Sequence, residues 1–195
     1  MNDLERLYEE MKNCSACRMR AGCQQVVTCS GCKEQPLLMV VAECPGQEED
    51  ECGEPLVGRA GQCIRTVFRA SKIINKSNTL LTNTVHCRPP KNKFPTDESA
   101  SICFGLWLKK EIELAKPKRM LLVGAVALKY VAGVEGITSA RGNWLNVGGI
   151  RSLPTFHPSF ILRRDAAGET QSRLQFESDI MEVAKEIKSL QENKA

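Results

Sequence analysis

Residues 37–41 read Leu-Leu-Met-Val-Val, an unbroken apolar run of the kind that forms a buried strand. The chain then breaks into Ala42-Glu43-Cys44-Pro45-Gly46 and Pro55-Leu56-Val57-Gly58-Arg59-Ala60-Gly61, and an amphipathic stretch follows over 62–71. A strand that empties into a Gly/Pro-rich loop and then a helix is where α/β folds place ligands, at the carboxyl edge of the sheet. Glu43 delivers a carboxylate immediately after the strand. Gly58 and Gly61 let backbone approach a ligand closely, and the following helix start offers N–H groups to an anion.

Three more runs have strand character, at 80–85, 120–123 and 151–154, with helical patterns between them near 62–73, 97–115 and 125–132. A closing amphipathic helix covers 174–190. This alternation predicts a three-layer α/β/α sandwich around a central, mostly parallel four-stranded sheet, built as one domain over residues 1–195. No apolar stretch is long enough to span a bilayer and no leader pattern opens the chain, so we expect a cytoplasmic monomer with no membrane partner.

The 27 basic and 23 acidic residues give a net charge of only +4, which permits nucleic-acid binding without arguing for it. Their distribution says more. Arg59, Arg65, Arg69 and Lys72, then Arg88, Lys91 and Lys93, then Arg163 and Arg164 all flank the same candidate edge, as a DNA-facing surface would. The acidic run from Glu48 to Glu51 cannot face phosphate closely, so most of it is expected in solvent.

Ten cysteines are many for an intracellular chain, and metal ligation is a better first reading than disulfides. The N-terminal segment 14–32 is cysteine-rich. Cys14 and Cys17 form a C-x-x-C pair, while Cys87 and Cys103 lie far downstream. Four such thiolates suit an iron–sulfur cube, which the spacing favours over a tetrahedral zinc site on the same ligands. Cys29 and Cys32 form a second C-x-x-C that can replace the first, hold another metal, or act as a redox pair. Cys23 adds a further thiol.

In order and spacing, several segments resemble the family 4 uracil-DNA glycosylases, the iron–sulfur branch of their superfamily. They are Ala42 to Gly46, Glu49-Asp50, Pro55 to Gly61, Asn83 with Cys87-Arg88-Pro89-Pro90, Lys116-Pro117-Lys118, Gly124, Arg141-Gly142 and Phe156-His157-Pro158-Ser159. The resemblance implies a 4Fe-4S cluster on Cys14, Cys17, Cys87 and Cys103, and a base flipped from DNA into a pocket. It makes His157 the donor that stabilises the leaving base and Asn83 the reader of the base. Phe160-Ile161-Leu162 after the His-Pro-Ser turn become a wedge in the base stack, with Ser159 of that turn on the DNA and Arg163 and Arg164 beside phosphates. The residues support this independently: glycosidic cleavage needs donors for the departing base and a carboxylate, here Glu43, for the water and the cationic sugar. Each also has a plainer reading: a structural His, a solvated Glu, a turn-capping Asn, a core Phe-Ile-Leu.

Two departures from the family pattern surround the base. Leu56 stands where a stacking Phe is usual, and Cys44 stands in the Gly-Glu-Ala/Gly-Pro-Gly loop. The lost ring forfeits about 1–3 kcal/mol of stacking and opens space. The expected substrate is therefore uracil or an enlarged cytosine, hydroxymethylated or glucosylated as in phage DNA, which would make the protein an antiviral defence. Two other classes stay open here: a non-catalytic iron–sulfur DNA-binding module and a thiol redox protein.

Overall fold

The computed structural model describes residues 2–92 and 97–193. The chain enters through α1 (Asp3–Lys12), whose Leu4, Leu7, Tyr8 and Met11 form one buried stripe at helical spacing. Asn2 caps it: its Oδ1 accepts the Glu5 N–H at 2.8 Å, and Glu5 Oε2 accepts the Asn2 N–H at 2.9 Å. A two-residue strand, β1 (Ser30–Gly31), precedes the apolar β2 (Leu38–Ala42). The loop after β2 carries a short α2 (Gln47–Cys52) before α3 (Arg59–Ser71) and β3 (Thr79–Asn83). Next, α4 (Asp97–Cys103) runs through a π-helical turn into α5 (Lys109–Ala115). Then β4 (Arg119–Val123) leads to α6 (Ala125–Ala127), α7 (Ile137–Ala140) and the hairpin of β5 (Leu145–Val147) and β6 (Ile150–Thr155). Two helices close the fold, α8 (Pro158–Ala166) and α9 (Gln171–Glu192).

The sheet corrects the expected four-stranded, mostly parallel one. It has six strands in the order β1-β3-β2-β4-β6-β5 and is mixed. β3, β2, β4 and β6 run parallel, while β1 and β5 pair antiparallel at the two edges. The edge strands span two and three residues. That is too short to show a period of two, and Gly31 and Asn146 are poor strand formers.

Alternation along the central strands divides the core into two layers. Leu38, Val40, Leu121 and Leu153 face Ile64 of α3, Ile161 of α8 and Phe176 of α9. Met39, Val41, Leu80 and Leu122 face Leu7 and Met11 of α1, Leu108 and Leu128. Both faces of the sheet are covered, which explains the continuous apolar runs of the two central strands, β2 and β4.

Candidate active site

The chain passes from β2 to β3 on one side and then crosses to β4 on the other, so the sheet reverses its order at β2. The carboxyl ends of the inner strands meet there. Asn83 ends β3, Glu43 follows β2, Gly124 follows β4, and His157 lies two residues beyond β6. A cavity of about 420 Å³ is lined by Glu43, Cys44, Leu56, Asn83 and His157, together with Arg59 and Ser159. The residues singled out in the sequence for base chemistry thus share one pocket.

His157 caps α8, and Pro158 at the first helical position fixes the entry of that helix. Its Nδ1 accepts the Ser159 backbone N–H at 3.2 Å and lies 2.7 Å from the Ser159 hydroxyl. That acceptor role leaves the proton of the neutral ring on Nε2. Burial, reinforced by Arg163, pushes the imidazole down to about 4. The site therefore holds a neutral histidine with an N–H donor. Gly124, with φ of +94°, lies beneath the ring; a Cβ there would sit 3.0 Å from His157 Cβ.

Asn83 is almost fully buried, and its Nδ2 has no hydrogen-bond partner among the described residues. Buried polar atoms are nearly always paired, so an orphan donor on a pocket wall marks a place where an acceptor belongs. Glu43 is raised above the usual carboxylate range by burial, against the pull of Arg163. Its backbone carbonyl accepts the Val85 N–H at 3.0 Å, which ties the start of the loop to the end of β3. The Cys44 thiol, raised by burial, sits between this pocket and the small cluster of Val85, Ala100 and Cys103.

Leu56 is buried in the core at φ of +58°. Its carbonyl accepts from Arg65 Nε at 2.7 Å. A Cβ on Gly61 would fall 2.0 Å from that carbonyl, so only glycine fits. At the entry to α3, the N–H of the cap residue Gly58 and that of Val57 before it are already taken. Glu49 Oε1 accepts from Val57 N at 2.8 Å and Gly58 N at 2.7 Å. The same finding corrects the solvated acidic run: Glu49 is buried, and so is Asp50, whose Oδ1 accepts the Gln24 and Gln25 N–H groups at 2.9 and 3.2 Å. A Gly-x-x-Glu helix start was the available signal for Glu49, with the glutamate at the third helical position reaching back to the cap.

The basic residues divide. Arg59, which lines the pocket, Arg163, whose charge reaches Glu43 and His157, and Lys91 are exposed. Arg88 donates to Asn92 Oδ1 at 2.8 Å, and Arg164 pairs with Glu169 while lying over the Phe160 ring. Lys93 lies outside the described residues. Residues 160–162 belong to α8 and are not a loop: Ile161 is core, Phe160 packs on Phe156 with ring centroids 5.0 Å apart, and Leu162 is half-buried.

The expected 4Fe-4S cluster is corrected as well. Cys14, Cys17, Cys87 and Cys103 line one cavity, but its volume is only about 10 Å³. Among the described residues, no group of three or more His, Cys, Asp or Glu side chains could hold a metal ion. The Trp107 indole N–H donates to Cys14 Sγ at 3.2 Å, and burial pushes the Cys103 thiol up to about 12 and raises Cys87 too. Thiolates ligate metals, and burial favours the thiol form of Cys87 and Cys103. All ten cysteines are unbridged.

Comparison with known proteins agrees with the geometry. The uracil DNA glycosylase superfamily pattern matches residues 30–182. A type-4 uracil-DNA glycosylase of Thermotoga maritima is 39% identical over 167 residues, 82% of this chain and 83% of that one. One of Pyrobaculum aerophilum is 32% identical over 88% and 91% of the two chains, and one of Archaeoglobus fulgidus 28% over 94% and 92%. Among the described residues, no helix is long and apolar enough to cross a membrane. A pocket at the switch point of the sheet and relatives matched along most of their length lead to one conclusion: this chain belongs to the uracil DNA glycosylase superfamily and is a glycosylase-type hydrolase.

Proposed function

We propose that the protein hydrolyses the N-glycosidic bond of a uracil flipped out of DNA. The observation that carries this reading is the orphan Asn83 Nδ2 on the wall shared with Glu43 and His157. An amide donor of this kind matches a pyrimidine carbonyl, and the adjacent amide oxygen can accept the ring N–H. The base loses its bond to C1′ with the electron pair, so it departs as an anion; the Nε2–H of His157 stabilises its oxygen. Glu43 orients a water toward C1′ and favours the cationic sugar. The oxygen of that water bonds to C1′, its proton is released, and the products are the free base and an abasic site. The exposed Arg59, Lys91 and Arg163 hold the DNA backbone.

One observation favours a second substrate, a cytosine enlarged at carbon 5. Leu56 lines the pocket and places no ring over it. Leu56→Phe measured on both substrates separates the readings. A uracil enzyme releases uracil before and after the substitution and ignores the modified base. An enlarged-base enzyme releases the modified cytosine as wild type and loses that activity with Phe.

A further inference from the structure

We propose that Glu49 is a positioning residue, a built-in anion that holds the loop of Glu43 against the loop of Leu56. The proposal rests on the reading that these two loops border the reacting base. Its carboxylate spans both: Oε2 accepts the Gly46 N–H at 2.9 Å, and Oε1 accepts the N–H groups of Val57 and Gly58 at 2.8 and 2.7 Å. Gly46 closes the loop that begins at Glu43, and Gly58 is the cap of α3. The side chain is 8% exposed, so the bonds are shielded from water. The glycines are part of the cradle. A Cβ on Gly46 would fall 2.7 Å from Glu49 Oε2, and one on Gly58 would fall 3.3 Å from Oε1.

Two backbone donors at this helix entry, on Val57 and the cap Gly58, receive an internal carboxylate in place of a ligand anion. Two consequences follow. The N–H groups of Val57 and Gly58 are closed to a phosphate, and the exposed arginines and lysines supply positive charge for the DNA backbone. The negative charge at Glu49 also opposes the burial that depresses His157, so it acts on the imidazole as well as on the loops. Losing the carboxylate frees three donors and lets the loops part. A displacement of about 1 Å at a reacting centre costs on the order of a hundredfold in rate.

The test compares wild type, Glu49→Ala and Glu49→Gln in single-turnover base release and in thermal melting, with sodium formate titrated against sodium chloride at equal ionic strength. Glu49→Ala should lose about a hundredfold in the bound-complex rate while DNA affinity changes less than about threefold. Formate, a carboxylate small enough for the vacated cradle, should restore at least about tenfold of the rate and raise the melting temperature of this variant alone by about 2 °C or more. Glu49→Gln, whose amide fills the space but sets an N–H against an N–H, should be slow and insensitive to formate. An unchanged rate in either variant overturns the proposal, as does a slow Glu49→Ala protein in which formate moves neither rate nor melting. Should Glu49→Ala not fold, the Glu49→Gln rate decides. A wild type that releases no base overturns the glycosylase reading instead, and the formate effect on melting still judges the cradle.

Discussion

Replacing Asn83 by leucine should make the protein more stable and less active at once. Asn83 Nδ2 is buried and unpartnered in the free protein, and an unsatisfied buried donor costs about 1–3 kcal/mol. Leucine is close to asparagine in size, so it removes that cost without opening a large void beside Ala42 and Val85. The branched side chain fits the space of the amide imperfectly, which offsets part of the gain, and the net stabilisation should be about 1 kcal/mol. For a chain of 195 residues that raises the melting temperature by about 2–4 °C. With a flipped uracil in the pocket the balance inverts. The carbonyl and ring N–H of the base then lack their partners, and two hydrogen bonds of about 1.4 kcal/mol each amount to about a hundredfold in rate. Scanning calorimetry of the free protein and single-turnover release from a uracil-containing oligonucleotide, with protein in excess, read the two effects. A melting temperature lowered by several degrees with the rate unchanged would refute the argument, because Asn83 would then be an ordinary structural amide.

His157→Ala should slow release by at least about a hundredfold in the bound complex while the dissociation constant for DNA moves less than about threefold, as rapid-quench and anisotropy measurements would read. Arg163→Ala should shift the acid limb of the pH–rate profile upward, because the guanidinium holds down both Glu43 and His157; the shift should shrink in high salt. Stability should depend on three buried groups. His86 and His157 are each pushed down to about 4, so below pH 6.5 the unfolded chain takes up protons that the folded chain refuses, and stability falls with the pH. Glu111, pushed up to about 7 by burial, acts in the opposite sense: the folded chain keeps a proton that the unfolded chain releases from about 4.5 upward. Glu111→Gln should therefore steepen the acid loss between pH 6.5 and 4.5 by about 1.4 kcal/mol per pH unit, measured by urea unfolding. Parallel stability profiles of the two proteins would contradict this.

The inner sheet was legible because burial on both faces writes itself as unbroken apolar runs, at 37–41 and 120–123 most plainly. Glu43 and Asn83 drew notice for a related reason, since each directly follows or ends a strand-like run, whereas His157, two residues past β6, drew notice through its Phe-His-Pro-Ser motif. The edge strands were not, since Ser30–Gly31 and Leu145–Val147 owe their pairing to neighbours distant in sequence. Phe160 and Ile161 read as an odd apolar loop because the helix that buries them begins only at Pro158, too close for its period to show. Glu49 and Asp50 looked like solvated charge because the N–H groups that bury them lie up to 26 residues away. The cysteines misled through spacing, which says which thiols can approach one another and nothing of the room left between them.

The central claim is that Glu43, Asn83 and His157 form one glycosidic-cleavage site for uracil. It is tested most directly by incubating the protein with duplexes carrying a single uracil, cytosine or 5-hydroxymethylcytosine and identifying the released base by mass spectrometry, with Glu43→Gln as the control. The account predicts free uracil and one abasic site per duplex from wild type, and release slowed by at least about a hundredfold with Glu43→Gln. Intact uracil duplexes after many hours with wild type, or full release by Glu43→Gln, would contradict it.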